Sequence, residues 1–315
     1  MIETVVSVEL PVDEHLAVKK NRLQPEVLTG EEKRICIITG THGDELEGQY
    51  VCYELIRRIE AEKEKLKGIV DIYPAVNPLG IDSITRGIPM FDLDLNRIFP
   101  GSVKDGAMSE YVAAKIVEDM DGADMAMDIH ASNIYLQEIP QVRVNELTAE
   151  ELVPYAKLVN CDFVWVHSAS TVLEATLAYS LNARGVKTLV VEMGVGMRIT
   201  KKYGNQLLDG IFNLMIELGI WDSKARPRVK EPIVSTDHQV GFVNADASGL
   251  FVPCVEHWND VRAGEVLGQI VNPLTGQIEQ EVTSPVDGMI FTLREYPIVA
   301  YGSLIARVLG GVAHE

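Results

Sequence analysis

The stretch "RICIITGTHGDELEGQYVCYELIRRIEAEKEKLK", residues 34–67, decides the architecture. "RICIITG" (34–40) is a short apolar run closed by Gly40, the pattern of a strand buried on both faces. "EGQYVCYELIRRIEAEKEKLK" (47–67) carries apolar residues at helical spacing with charge on its outer face. Between strand and helix, His42, Asp44, Glu45 and Glu47 crowd into six positions. A buried strand gains nothing by delivering such groups unless they find partners, because an unpaired buried carboxylate is costly.

The same strand-then-helix unit recurs along the chain. "IVDIYPAVNP" (69–78), "ADMAMDIH" (123–130), "DFVWVH" (162–167) and "VKTLVVEMG" (186–194) read as strands. "SEYVAAKIVEDM" (109–120), "TAEELVPYAKLVN" (148–160), "TVLEATLAYSLNARG" (171–185) and "GNQLLDGIFNLMIELGI" (204–220) read as helices. The alternation predicts an α/β fold, a mostly parallel sheet with helices on both faces. A loop over 79–106 interrupts it and is long enough to suggest function. After Trp221 the pattern changes. "DSKARPRVKEP" (222–232) reads as a linker, and "GLFVPCVE", "GEVLGQIV", "SPVDGMIFTL" and "GSLIARVL" are short extended runs punctuated by Gly and Pro. The expected division is an α/β domain over 1–225 and a small all-β, barrel-like domain over 226–315 that flanks the site.

Bulk properties narrow the function. The 315 residues suffice for two domains, and 28 Lys and Arg against 46 Asp and Glu give a net charge of −18. With no basic cluster to offset it, that surface repels phosphate, so neither nucleic acid nor an anionic membrane is an expected partner. Cys36, Cys52, Cys161 and Cys254 are scattered without a CxxC pair, which argues against a disulfide framework or a thiolate zinc site. "MIETVVSVELPVDEH" has no basic region ahead of an apolar one, so no signal peptide is read there. No apolar run approaches the roughly 18 residues that a membrane-spanning helix needs. The expected location is the cytoplasm, and the sequence is compatible with a homo-oligomer.

Active sites of open parallel sheets gather at the carboxyl ends of strands, and four predicted strands end there in polar groups: "THGDE", "NP", "DIHAS" and "VEMG". His42 and Glu45 are three apart, and His130 arrives from another strand. Two imidazoles and a carboxylate form a common catalytic zinc set with a fourth position left for water. Asp44 and Glu45 against a helix N-terminus, with His42 in a turn, would equally make a cap, and spacing alone weighs the two evenly. His130 tips the balance toward a metal. Asp128, two residues earlier, either lies away from the site or orients that ligand. Glu192, ending an apolar strand beside Gly194, reads either as a general base or as one half of a surface ion pair. Within "NPLGIDSITRGIPMFDLDLNRIFPG" (77–101), Arg86 and Arg97 either serve a substrate or are neutralised by Asp92 and Asp94. His15, His238, His257 and His314 read as surface groups, His167 as either structural or lining the pocket, with the structural reading favoured, and Trp165 and Trp258 as core rather than substrate platforms.

Taken in order, "GTHGDE", "NPLG…TR…DLDLNRIFPG", "DIHAS" and "VEMG" resemble the succinylglutamate desuccinylase/aspartoacylase family, a branch of the zinc carboxypeptidase-like amidohydrolases. The resemblance spans about residues 35–200, and the β-rich remainder suits the family's second domain. It implies one Zn2+ per chain on His42, Glu45 and His130, with Glu192 as base and proton shuttle. Asn96 and Arg97 would bind the substrate carboxylate and Arg86 would polarise the scissile carbonyl, although the stretch from Arg86 to "DLDLNR" is longer here than in aspartoacylases. From the second domain, Tyr296 in "REYP" is the candidate substrate contact. That domain also resembles biotinyl and lipoyl carrier modules, but its turn, "PVDGMI", lacks the lysine that carriers modify.

The expected function is therefore zinc-dependent hydrolysis of the amide bond in an N-acyl amino acid or related small carboxylate. Two alternatives share the ligands: a zinc carboxypeptidase acting on short peptides, and a metal-dependent binding protein without turnover.

Overall fold

The computed structural model describes residues 1–89, 91, 93–104, 106–168 and 174–310. It opens with an antiparallel pair, β1 (Ile2–Glu9) and β2 (His15–Leu23). The first strand–helix unit follows as β3 (Arg34–Thr39) and α1 (Glu47–Ala61), then β4 (Ile69–Tyr73), the short α2 (Pro78–Ser83) and α3 (Met108–Met120). Next come β5 (Met125–His130), β6 (Leu136–Asn145), α4 (Ala149–Ala156), β7 (Phe163–His167), α5 (Leu177–Ala183), β8 (Lys187–Gly194) and α6 (Lys201–Glu217). The start predicted for the helix over 171–185 lies partly outside the described residues, as do Asp92 and His314. Nine strands complete the described residues: β9 (Ile233–Thr236), β10 (Val240–Asn244), β11 (Gly249–Pro253), β12 (Asp260–Val261), β13 (Val266–Asn272), β14 (Gln277–Thr283), β15 (Gly288–Arg294), β16 (Ile298–Val299) and β17 (Leu304–Gly310). No helix among the described residues is long and apolar enough to cross a membrane.

A 13-stranded sheet runs β1-β2-β4-β3-β5-β8-β6-β15-β17-β10, with β7, β9 and β12 attached off that path. Helices cover both faces: α1, α4 and α6 enclose one apolar cluster around Ile37, Met127 and Val191, and α3 and α5 enclose another around Ile38, Ala126 and Val186. The expectation of a mostly parallel sheet is overturned. The ladders β4-β3, β3-β5, β5-β8, β6-β7 and β7-β9 are parallel. The flanking ladders β1-β2, β2-β4, β8-β6, β6-β15, β15-β17 and β17-β10 are antiparallel. The βαβ alternation describes the parallel centre correctly, but β1, β2 and β6 lie outside that alternation.

Strand β6 is where the sheet forks. One edge pairs with β8, from Glu138 opposite Gly194 to Arg143 opposite Val190. The other edge is shared, with Gln141–Asn145 on β7 and Leu136–Glu138 on β15. The strands after residue 240 therefore meet the sheet beside the carboxyl end of β8. They keep a core of their own around Phe251, Leu267, Ile290 and Ile305, and a separate antiparallel sheet β14-β13-β11-β16. Trp165 is buried, whereas Trp258 is 39% exposed and does not join the core. His257 is partly buried, and its Nε2 donates to the Gln137 carbonyl at 2.8 Å. Cys36 and Cys52 are buried thiols pushed up to about 12 by desolvation, which makes them small core residues.

Candidate metal centre and active site

Backbone geometry brings the first motif together. Gly40 turns the chain off β3 with φ +69°, and a Cβ on Gly43 would stand 1.9 Å from the backbone carbon of Gly80. Only glycine permits that approach, which lays residues 40–46 against the start of α2. His42 Nδ1 then lies 2.8 Å from Glu45 Oε1, and His130 Nδ1, at the end of β5, lies 2.9 Å from Glu45 Oε2. One ligand atom from each of His42, Glu45 and His130 lies within 4.8 Å of the others, and all three residues are buried. Glu45 also accepts from the Ala131 amide at 3.1 Å and from Arg86 Nη1 at 2.9 Å.

Each imidazole has an aspartate on its far side. His42 Nε2 is 3.1 Å from Asp94 Oδ1, and His130 Nε2 is 3.0 Å from Asp128 Oδ2. Residues two apart on a strand share a face, so Asp128 accompanies His130 rather than pointing away. Both Asp128 oxygens and His130 Nε2 are buried without a hydrogen bond in this arrangement. An Nε2–H rotated onto Asp128 would leave Nδ1 as a bare lone pair, the state in which an imidazole ligates a cation. The donor set thus fits a divalent metal with borderline N/O preference.

Electrostatics agree with that fit. Burial alone would push Glu45 up, but the adjoining imidazoles hold its carboxyl well below the usual carboxylate range. Burial likewise opposes the charged form of His130, yet Asp128 and Glu45 raise it well above an ordinary histidine. His42 is raised by Glu45 and Asp94 against the same desolvation. Positive charge is strongly favoured at this point, whether carried by protons or by a metal ion.

Glu192 lies next to this cluster. In the parallel ladder of β5 and β8 it is the register partner of His130. Burial pushes its carboxyl up, with Arg143 opposing at 3.2 Å. A cavity of about 440 Å³ opens over these groups, lined by His42, Glu45, His130 and Glu192 together with Arg86, Asn96 and Arg97.

The model of the succinylglutamate desuccinylase/aspartoacylase catalytic domain matches residues 31–218, a span that contains all seven of these residues. The chain belongs to this family. No curated protein matches it. Among solved structures, the product-bound ectoine utilization protein EutE (DoeB) from Ruegeria pomeroyi superposes with a TM-score of 0.82 at 21% identity, covering 97% of this chain and 93% of that one. A succinylglutamate desuccinylase/aspartoacylase from Rhodobacter sphaeroides gives 0.81 at 22% identity, covering 98% and 95%. An aspartoacylase family protein from Mesorhizobium loti gives 0.80 at 19%, covering 100% and 95%. At these identities the likeness establishes the fold.

Within this desuccinylase/aspartoacylase-family protein, Asn96 and Arg97 occupy a 3-10 turn, Leu95–Arg97, capped by Asp94. Asn96 Oδ1 accepts the Leu177 amide at 2.9 Å, which fixes the turn to the start of α5, and exposed Arg97 donates to the Asn96 carbonyl. Arg86 lies on Glu45 and 3.6 Å from Asp94. His167 lines the cavity. Tyr296 does not: it is 45% exposed and packs edge-on against Tyr135. The residue that the C-terminal strands place in the cavity wall is Arg307, accompanied by Glu138 and Arg143 of β6. Sequence reasoning missed all three. The available signal was a lone Arg in the apolar strand "SLIARVL" and charges inside "QEIPQVRVN".

Proposed function

We propose that the protein is a zinc-dependent deacylase that hydrolyses the amide bond of an N-acyl amino acid or a similar small carboxylate. The observation that supports this reading most directly is the register pairing of Glu192 with His130, which sets a carboxylate beside a buried His-Glu-His set in one cavity. His42, Glu45 and His130 would hold the zinc, which when bound supplies a Lewis acid and lowers the pKa of water to about 7.

The chain's own residues do the rest. Asn96 and Arg97, at the cavity rim, grip the substrate carboxylate and orient the acyl group inward. Glu192 removes a proton from the water that attacks the acyl carbon. It holds that proton on a carboxylate oxygen and delivers it to the nitrogen as the C–N bond breaks, releasing a carboxylate and an amine. Arg86, beside Glu45, offers positive charge to the developing oxyanion. We place the protein in the cytoplasm, where buried free thiols such as Cys36 and Cys52 stay reduced.

The test is a panel of N-acetyl, N-succinyl and N-formyl amino acids, with dipeptides alongside, offered to zinc-loaded protein. Glu192→Gln is expected to lower kcat by about 10²–10⁴-fold with zinc still bound. Wild-type turnover in that variant removes Glu192 from the mechanism. Cleavage of dipeptides alone supports the carboxypeptidase alternative, and bound zinc without hydrolysis of any substrate supports the binding protein.

A further inference from the structure

A chain of four charged side chains runs from the C-terminal strands to Glu192. Arg307 projects from β17 and donates from Nη1 to Glu138 Oε1 at 2.9 Å. Glu138, 1% exposed, also receives Arg143 Nη2 at 3.0 Å on both oxygens and the Gln141 amide. Arg143 Nη1 completes the run 3.2 Å from Glu192 Oε1. Strand register dictates the last step. Arg143 faces Val190 and Gln141 faces Glu192 across β6 and β8, so Arg143 and Glu192 are diagonal neighbours on one face. Beneath them lies the Trp165 ring, 5.5 Å from Arg143 Cζ and 5.4 Å from Arg307 Cζ.

Two guanidinium groups and two carboxylates thus share a largely buried wall. Buried ion pairs contribute little to folding, because desolvation offsets their attraction, and well-packed apolar residues often serve as well. The geometry points instead to control over one side chain. Nη2 of Arg143 is held by both oxygens of Glu138 and its plane rests over Trp165, so the direction of Nη1 is fixed. The planar fork of arginine presents separate donors to the two carboxylates in a fixed geometry, which the flexible ammonium of a lysine does not.

We propose that Arg143 is a positioning residue that holds the Glu192 carboxylate in its catalytic orientation, and that Arg307 of β17 sets Arg143 through Glu138. This rests on the reading of Glu192 as the general base. It gives the C-terminal strands a part in turnover that acts through β6.

The experiment is a double-mutant cycle on the zinc-loaded, full-length protein, with zinc content and both kinetic constants measured for every variant. Arg143→Met is expected to lower kcat by about 10–100-fold, the scale set by misplacing a reacting group, with KM within about twofold and zinc unchanged. Arg307→Met should show the same split with a smaller loss. On the Glu192→Gln background, Arg143→Met should cost nothing more, since the group it places is already gone. Unchanged kcat in Arg143→Met, a raised KM at constant kcat, lost zinc, or a full additional loss in the double variant would each overturn the proposal. If Arg143→Met does not fold, Arg143→Lys retains the charge and should still lower kcat; wild-type kcat there overturns the proposal equally. Wild-type turnover of Glu192→Gln by itself defeats the reading of the base. A loss in Glu192→Gln with none in Arg143→Met defeats the positioning alone.

Discussion

The two imidazoles of the proposed metal centre are oriented from behind. Asp128 Oδ2 lies 3.0 Å from His130 Nε2, and both of its carboxylate oxygens are buried with no hydrogen-bond partner among the described residues. A carboxylate in that place selects the tautomer with Nδ1 bare and raises the basicity of the ligand. Asp128→Ala should therefore weaken zinc affinity by about 10–100-fold while circular dichroism of the folded protein stays unchanged. Competition with a chromogenic chelator measures this, and wild-type affinity would reduce Asp128 to a buried bystander. The spacing of "THGDE" leaves a metal and a helix cap evenly weighed, and His130 at the end of "DIH", with the family resemblance, nominates His42, Glu45 and His130, because local turns and strand ends decide where those side chains go. The role of Asp94 was harder to see. Its approach to His42 depends on how the loop over 79–106 folds back, and no local pattern encodes that.

At the level of elements, β2, β4, β3 and α3 are joined by a buried polar network at the end of the sheet away from the site. Asp71 of β4 is fully buried and accepts from Arg22 Nε at 2.8 Å and Nη2 at 2.7 Å, and from Arg34 Nε at 2.8 Å. Lys20 reaches Asp119 of α3 at 2.8 Å, and Tyr73 donates to the same carboxylate at 2.6 Å. Desolvation works against ionised Asp71, but Arg22, Arg34 and Lys20 outweigh it and lower its pKa. A carboxyl lowered in the folded state binds fewer protons there than in the unfolded chain. Its stabilisation is complete above the unfolded value of about 4 and is lost as pH falls below that. Asp71→Asn leaves three cations around a neutral amide and should cost about 3–5 kcal/mol at pH 7, with the gap from wild type narrowing below about pH 4. Urea titrations at pH 7 and pH 3 test this, and a gap independent of pH would contradict it. The element pattern also explains what could be read in advance. Strands β3, β5 and β8 are covered on both faces and read as apolar runs. β6 carries Glu138, Gln141 and Arg143 into the interior, where they bond to one another and reach Glu192 of β8 and Arg307 of β17. No element is read over it from the sequence, and the antiparallel ladders β8-β6 and β6-β15 are left out with it.

For the molecule as a whole, the fork at β6 makes the C-terminal strands part of the structure that carries the site. Leu136–Glu138 pair with β15, and Ile139, Phe163 and Trp165 pack against Met289, Phe291 and Leu309 in one apolar cluster. Trp165 lies in that cluster and also underlies Arg143 and Arg307. Lys230, in the segment expected to be a linker, is tied to Asp162 at 2.7 Å, and its amide donates to Asn160. A fragment ending at residue 225 would keep every proposed zinc ligand and Glu192. It would also bare the unpaired edge of β6 and the Phe163–Trp165 surface, which is the type of exposed strand that aggregates. We expect that fragment to be insoluble or to bind a hydrophobic dye strongly. The intact chain should unfold in urea with coincident transitions by far-ultraviolet circular dichroism and by tryptophan fluorescence. A soluble 1–225 fragment that binds zinc and hydrolyses N-acyl amino acids at the intact rate would show that the C-terminal strands are dispensable, and would remove Arg307 from any part in turnover.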